Sequence, residues 1–529
     1  MTQLRDPDHR TEGRPLSHLD EVERYRAFDD LQLSMPSVWE SMRLAFEDES
    51  VVVVPSISIE RTTPGSGTIM QAMEERALFL LLLLRQPRLH MIYVTSQPVS
   101  ESIVEYYLGL LPGVIPSHAR ARLTLIPVGD ASPVPLSAKL LARPRLLREI
   151  RSLIPNAARS HLIPYNTTPL ERDVALSLRI PMYGADPRLA DLGSKTGCRR
   201  MFEELGVRCP VGAEDLHTVD DIVSGVQGMR VRRPSLNQAI VKLNEGVSGA
   251  GNAIVDLHEL PAIGSSNEAA AITERVLGMQ PEAEDLDVDV YLAAFSKHGG
   301  IVEERICGVV LTSPSVQMRA LPDGTVELLS THDQLLGGAS GQKYLGCVFP
   351  ANPDYAAAIA EPAMVIGRHL AELGVLGRFA VDFVVVQVES GAWTPYAIEL
   401  NLRKGGTTHP FLTLQFLTDG TYDGERGVFL TPSGSPKYLA ATDHLEDERL
   451  KALTVRELFD VVVRHGLHFD QSRRTGVVFH MISCLTECGR VGLTAVGDNP
   501  EDAWRIYQDA QSVLLREAEV ALEEGCVVG

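Results

Sequence analysis

The chain has 529 residues, 44% of them hydrophobic and 22% charged, enough for three or four domains with ordinary globular cores. A formal net charge of -20 argues against non-specific binding to nucleic acid or to an anionic membrane. Seven cysteines scattered from Cys198 to Cys526, an odd number, make no disulfide framework and imply reduced thiols in a cytoplasmic setting.

Residues 1–16 are polar, rich in Arg, Asp and Pro, and read as a disordered leader without a signal peptide. Over 17–190, strands and helices alternate. Val51 to Ile59, His90 to Ser96, Arg122 to Val128 and Ser160 to Tyr165 have strand character; Ile69 to Arg85, Glu101 to Leu111 and Leu136 to Leu153 have helix character. That alternation predicts a parallel, doubly wound α/β sheet. The apolar run Ala77 to Leu84 is too short to span a bilayer and reads as a buried helix. Gly65, Ser66 and Gly67 follow the first strand, but Met70 stands where the third glycine of a dinucleotide loop belongs.

Residues 191–300 form a smaller α/β segment. In GSKTGCRRMFEELG (193–206), Ser194 or Thr196 suits the N-cap and Gly206 the C-terminal end. Lys195 sits at the helix start, where a cation opposes the macrodipole; either a phosphate lies there or the lysine is solvated. Gln238 to Asp256 holds two β-prone runs around Gly246, Gly249 and Gly251. Without Cβ atoms such a loop brings backbone N–H groups close to phosphate, the alternative being a flexible hairpin. Lys242, on the strand entering the loop, can reach an α- or β-phosphate.

Residues 301–440 begin with IVEERICG, where Glu303 and Glu304 are polar in an apolar strand. A hairpin is expected to turn at Pro322, Asp323 and Gly324, followed by a glycine-rich, loop-like insertion over 330–346 suited to closing over a substrate. A helix from Ala356 to Leu373 ends at Gly374. Two strands follow. Arg378 to Gln387 is apolar except near Asp382, and alternation along Tyr396 to Arg403 puts Ala397, Glu399, Asn401 and Arg403 on one face, with Tyr396, Ile398 and Leu400 on the other. A hairpin across Glu389 to Thr394 makes Asp382 and Glu399 neighbours. Two like charges about 4 Å apart repel by roughly 4 kcal/mol at an effective dielectric near 20, which calls for a cation such as Mg2+. One acid on an open sheet face would be merely solvated; two acids, an Asn and an Arg together are not explained that way.

Residues 441–529 read as a small α+β domain without a catalytic constellation: a charged linker, a helix over Leu453 to His465, strands over Gly476 to Cys484 and Val491 to Ala495, and a long helix over Pro500 to Glu524. Cys484, Cys488 and His480 offer part of a zinc set, with no second ligand pair at finger spacing.

Lys195, Lys242 with its glycine-rich loop, the Glu303 and Glu304 hinge, Asp382, and Glu399-Leu-Asn401-Leu-Arg403 follow one another in the order seen in the ATP-grasp superfamily, which the chain resembles over about 190–412. GSKTGCRRMFEELGV, the Ser330 to Gly346 segment, ELNLRKGGTTHPF and GVVFHMISC together look like the pheganomycin-type peptide ligases, a resemblance that covers nearly the whole chain beyond residue 17. It implies an α/β ATP-grasp fold: a doubly wound pre-ATP-grasp domain (17–190), two α+β subdomains clasping ATP (191–300 and 301–440) and the terminal α+β domain (441–529).

The same resemblance implies Mg2+ on Asp382, Glu399 and Asn401, with Lys195 and Lys242 on the ATP phosphates. Gly246, Ser248, Gly249, Ala250 and Gly251 would cover the triphosphate, with Glu303, Glu304 and Ile306 around the nucleoside. Arg403, with Arg378, would stabilise an oxyanion, and His332, Gln342 and His409 are candidate substrate contacts. The implied reaction is ATP-dependent amide formation through an acyl-phosphate. It would join a carboxylic acid, such as a guanidino-bearing amino acid derivative, to an amino acid or peptide amine in natural-product biosynthesis; a homodimer is compatible with it. The competing readings are a carboxylase, a thioester-forming ligase and a non-catalytic nucleotide binder; the Met-Lys dipeptide expected of a biotinyl carrier occurs nowhere.

Overall fold

Strands β1 (Glu49–Val54), β2 (Leu89–Thr95), β3 (Leu123–Pro127) and β4 (Ser160–Pro164) form the first sheet, in the order β3-β2-β1-β4 and parallel throughout. Val51, Val52, Val53 and Val54 are all buried, the pattern of a parallel strand covered on both faces. The doubly wound sheet expected from the alternation is therefore present. These elements belong to a computed structural model that describes residues 16–44, 48–59, 67–245, 251–282, 286–337, 341, 343–389 and 391–527.

Two helices differ from expectation. The run over Leu136 to Leu153 is two helices, Leu136–Leu141 and Pro144–Ser152, because Pro144 lacks the N–H needed to continue the first and suits the opening turn of the second. The run over Ile69 to Arg85 is an α-helix, Gly67–Glu75, continued by a buried 3-10 helix, Arg76–Arg85.

The second sheet is antiparallel, with the order β5-β9-β6-β7-β8 for β5 (Gly212–Leu216), β6 (Gln238–Leu243), β7 (Asn252–Asp256), β8 (Gln280–Pro281) and β9 (Gly300–Glu304). Helices Val219–Arg232 and Val288–His298 pack on it through Val226, Met229, Tyr291 and Phe295.

The third sheet takes in β10 (Val310–Thr312), β11 (Pro314–Ala320), β12 (Val326–Gly337), β13 (Lys343–Phe349), β14 (Gly377–Gln387) and β15 (Trp393–Asn401). A separate ribbon pairs β16 (Thr421–Asp423) with β17 (Val428–Leu430). The third sheet then continues through β18 (Tyr438–Glu446), β19 (Gly476–His480) and β20 (Arg490–Gly497), in the order β10-β14-β11-β12-β13-β18-β20-β19, with β15 paired to β14.

The 330–346 segment is mostly strand rather than loop. Asp333 pairs with Val348 and Gly337 with Lys343, so the backbone of this stretch is largely satisfied by a sheet ladder. Gly346 marks close packing: a Cβ there would lie 2.1 Å from the Ala441 carbonyl oxygen of β18. The segment past 441 is likewise built into this sheet and not set apart from it. Leu78, Tyr107, Phe411, Phe479 and Leu514 share one core cluster, which joins the first sheet's helices to the chain's last strands and helix. Tyr107 Oη donates to the Phe479 carbonyl at 3.1 Å, and Phe479 N–H donates to Tyr106 Oη at 2.9 Å.

Among the described residues, Cys198, Cys209, Cys307, Cys347, Cys484 and Cys488 are unpaired thiols, and no helix is long and apolar enough to cross a membrane.

Candidate active site

A cavity of about 770 Å3 takes walls from the second and third sheets and from segments that flank the strands of the first, such as Ile57, Arg76 and Tyr165. Gln238, Ile240 and Lys242 come from β6, Glu303 and Glu304 from β9, and Asp382, Glu399 and Asn401 from β14 and β15.

β14 and β15 run antiparallel with Asp382 directly opposite Glu399, as the hairpin predicts. Strict alternation fails one residue earlier. Phe383 pairs with Ala397 while Asp382 pairs with Glu399, so Ile398 is an extra residue, a β-bulge. The bulge shifts the phase. Ala397 joins Leu400 in the core, whereas Ile398, Glu399, Asn401 and Arg403 line the cavity. Asn401 Nδ2 donates to Asp382 Oδ2 at 3.0 Å, which gathers three oxygen-bearing side chains at one place.

Ser194 is the N-cap of the Lys195–Glu204 helix, accepting from Gly197 N–H at 2.9 Å. Asn244 fixes the same turn from the end of β6: its Oδ1 accepts from Thr196 N at 3.0 Å and from Thr196 Oγ1 at 2.7 Å. Lys195, only 5% exposed, thereby points at the third sheet and pairs with Glu399, Nζ to Oε1 at 2.6 Å. Lys242 pairs in the same way with Glu303 on the neighbouring strand, at 2.5 Å. Glu304 is fully engaged: Oε1 accepts from Val211 N–H at 3.0 Å and Oε2 pairs with Arg233.

Burial, reinforced by Glu399 beside it, pushes the Asp382 carboxyl up from its ordinary range. Burial acts the same way on Glu399, but the Lys195 ammonium outweighs it and holds that carboxyl low. One acid is thus paired directly with a lysine, while the other feels Arg403 and Lys195 only at longer range. A hard dication fits this donor set of two carboxylates and a carboxamide. The two lysines sit where they could exchange acid partners for polyphosphate oxygens.

Arg403 and Ile306 line the cavity. Arg378 shares the face of Asp382 by alternation but lies beyond the cavity, opposite Arg319 on β11 and close to Tyr183, so it does not reach the position expected of an oxyanion donor. His332 also stays away from the cavity. Its ring is buried against Phe349 and Phe411, with centroids at 4.9 and 6.2 Å, which is a core position. His409 is buried too, and faces His480 and Asp443 rather than the cavity. The Gly251 carbonyl accepts from Leu243 N–H and Tyr291 Oη, both at 2.9 Å, so the end of the glycine loop is tied to its own sheet. Gly246, Ser248, Gly249, Ala250 and Gln342 lie outside the described residues, as do Gly65 and Ser66.

The cavity also has a wall that sequence reasoning missed. Arg76 follows the Gly67–Glu75 helix and reaches across to β18, pairing Nη1 with Asp443 Oδ2 at 2.5 Å and donating from Nη2 to Tyr165 Oη at 2.9 Å. Arg490, on β20, donates from Nε to the Asp443 carbonyl at 2.7 Å and leaves a buried Nη2 without a partner. Arg76, Tyr165, Asp443, His444 and Arg490 all line the cavity. The terminal segment therefore does contribute to the site. The available signal was Asp443-His444, a charged and titratable pair after the apolar start Tyr438 to Ala441 of β18.

Two sheets that close on converging acids and lysines define an ATP-grasp protein. The chain has the ATP-grasp fold and is similar to proteins of that superfamily, a ligase among them. Residues 187–284 and 287–425 match the family model "IQCH-like, ATP-grasp", and 457–510 match the "PGM1 C-terminal domain". The chain is 28% identical over 449 residues to the L-propargylglycine–L-glutamate ligase of Streptantibioticus cattleyicolor, covering 83% of this chain and 89% of that protein. It is 23% identical to IQ motif-containing protein H of Danio rerio over 92% of this chain, and spans 50% of that relative's length.

Among solved structures, the biotin carboxylase domain of Hydrogenobacter thermophilus 2-oxoglutarate carboxylase superposes with a TM-score of 0.52 at 12% identity, over 87% of this chain and 89% of that one. An ADP complex of N5-carboxyaminoimidazole ribonucleotide synthetase gives 0.50 at 10% identity, over 89% and 98%. At such identities the likeness concerns the fold.

Proposed function

We propose that the protein is an ATP-dependent carboxylate–amine ligase that forms an amide bond through an acyl-phosphate. The observation that carries this reading is the polarity of the cavity between the second and third sheets. Asp382, Glu399 and Asn401 gather hard oxygen donors beside Lys195 and Lys242, while Arg403, Arg76 and Arg490 bring guanidinium groups to the same space. The first set suits a metal–polyphosphate and the second suits substrate carboxylates. Likeness to a ligase that joins two amino acids supports the same class.

Asp382, Glu399 and Asn401 would hold Mg2+, whose chemistry is to neutralise charge on the β- and γ-phosphate oxygens. Lys195 and Lys242 would bind the phosphates after parting from Glu399 and Glu303. A carboxylate oxygen of the acid attacks the γ-phosphorus, the bond to the β–γ bridging oxygen breaks, and ADP leaves. The amine nitrogen of the second substrate then attacks the acyl carbon, inorganic phosphate departs, and the nitrogen gives up its proton. Arg403 faces the reacting space and would stabilise the tetrahedral oxyanion. Positioning and charge neutralisation supply the catalysis, with no side-chain nucleophile.

The acid is proposed to be an unusual amino acid derivative, including guanidino-bearing ones, and the amine an amino acid or short peptide, within natural-product biosynthesis. The test is ADP and phosphate release against a panel of such acids with and without amine acceptors, using acid labelled with 18O in its carboxylate. Release that needs both substrates, with one 18O passing to phosphate, is expected. Turnover with bicarbonate, or with a thiol in place of the amine, would assign a carboxylase or a thioester-forming ligase instead. ATP binding without turnover of any acid would overturn the enzyme reading.

A further inference from the structure

Behind the cavity wall formed by Asp443, three metal-type ligands from three separate elements meet. His409 comes from the first turn of the Thr408–Thr418 helix, Asp443 from β18 and His480 from the end of β19. His480 Nε2 is 2.8 Å from Asp443 Oδ1, His409 Nε2 is 3.1 Å from the same oxygen, and the two Nε2 atoms are 3.0 Å apart. One donor atom from each residue thus stands at a corner of a nearly equilateral triangle, and all three side chains are buried.

Hydrogen bonds alone explain this triangle poorly. Two N–H groups aimed at one carboxylate oxygen would press their like-polarised hydrogens into a 3.0 Å gap, and removing either proton sets a lone pair against the carboxylate. A cation satisfies all three atoms at once. At the usual Zn–N and Zn–O lengths of about 2.0–2.1 Å it would sit roughly 1 Å from the plane of the triangle, leaving a fourth position open.

The surroundings fit. Arg76 Nη1 holds Asp443 Oδ2 at 2.5 Å, an outer contact that orients the carboxylate and frees Oδ1. Gly492 lies opposite His480 on β20, and a Cβ there would come within 2.0 Å of Nε2, so the absence of a side chain gives the imidazole its place.

We propose that His409, Asp443 and His480 form a binding site for one borderline divalent cation, Zn2+ being the best match, occupied without nucleotide and separate from the Mg2+ positions. Two imidazoles and a single carboxylate favour such an ion over Mg2+, which prefers oxygen ligands throughout. Bound there, the ion ties the Thr408–Thr418 helix to β18 and β19 behind the cavity wall. The proposal is independent of the ligase reading, because it needs neither ATP nor substrate.

The experiment is titration of chelator-stripped full-length protein with Zn2+ and with Co2+ in the absence of nucleotide. Uptake of one ion per chain is expected, undiminished by millimolar Mg2+. The Co2+ form should show visible d–d absorption without a thiolate charge-transfer band, and zinc-edge absorption should show nitrogen and oxygen neighbours only. His409→Gln and His480→Gln should each weaken binding at least 100-fold, with circular dichroism verifying the fold. No stoichiometric uptake by the wild-type protein would overturn the site and leave a hydrogen-bonded cluster. Sulfur in the zinc shell would overturn it in favour of Cys484 and Cys488. The spectroscopic arms use the unmodified chain, so a variant that fails to fold does not remove the test.

Discussion

The two charged walls of the cavity are built in opposite ways. Asp382, Glu399 and Asn401 stand on two strands joined by one hairpin, and Asn401 already bonds Asp382 within that pair. Arg76, Tyr165, Asp443 and Arg490 come from four parts of the chain, from residue 76 to residue 490, and meet only because the first sheet's helices share a core with the last strands. The first wall is a local product of strand pairing. The second is a product of tertiary packing, so its integrity and the global stability of the chain are one quantity.

That difference predicts different failures. Glu399→Gln keeps the size of the side chain, removes one carboxylate from the metal set and leaves Lys195 without its anionic partner. Phosphate release should fall by roughly 10^3-fold or more because charge stabilisation at the reacting phosphates is lost, with a modest fall in melting temperature, since relief of the repulsion on Asp382 offsets part of the lost Lys195 pair. Steady-state kinetics and a thermal melt on the same sample check both halves. Activity within tenfold of wild type would contradict the metal assignment.

Arg76→Leu should fail in the other way. In chelator-stripped protein Asp443 would remain buried, 3% exposed, without its guanidinium, and breaking one partner of a buried pair costs about 3–5 kcal/mol. Urea unfolding should register this as a lower midpoint. Adding Asp443→Asn to Arg76→Leu should recover part of the loss, since no unpaired charge is then left inside. Equal stability of the single variant and the wild type would show that this wall is not held by the pair.

The contrast also explains what was legible in the sequence. Residues placed by local pattern could be found: Asp382 beside Glu399 by the hairpin, and Ser194, one of two N-cap candidates, by its position before the helix, whereas the pairing of Lys242 with Glu303 was not foreseen. Even there a single bulge at Ile398 moved Ala397 from the cavity face to the core, because alternation has no means of registering one extra residue. The glycine-bearing 330–346 stretch was misjudged because its strand pairing depends on β13 and β18, which no local pattern announces. Arg76, Asp443 and Arg490 were missed for the same reason, and Arg378 and His332 were over-read because polar residues inside apolar strands also occur at packed positions away from a cavity.

The acid beside Arg76 supplies a pH test of the packed wall. Glu75 is 1% exposed, and burial pushes its carboxyl up to about 7, against a Ser483 N–H donated to Oε2 at 3.2 Å. A folded-state value above the unfolded one means the native chain holds its proton longer. The associated stability is therefore complete below about pH 4.5 and is lost as pH rises through about 7. Unfolding free energy from Glu75 alone should decline by on the order of 3 kcal/mol across that window. Glu75→Gln should flatten this part of the profile in urea melts at a series of pH values; an unchanged slope would place the titration elsewhere.

The smallest effect belongs to the locally built wall. Ser194→Ala removes the acceptor for Gly197 N–H, and loss of such a cap costs about 1 kcal/mol. The helix start would still be tied by Asn244, which accepts from both N and Oγ1 of Thr196. The chain should therefore stay folded, and the melt should shift only slightly. Lys195 follows the cap directly, so a looser first turn widens the range of positions its ammonium can take around Glu399. KM for ATP should rise a few-fold while kcat changes less, because phosphate binding depends on that lysine and the later acyl transfer does not. A change in kcat alone would place Lys195 in the chemical step instead.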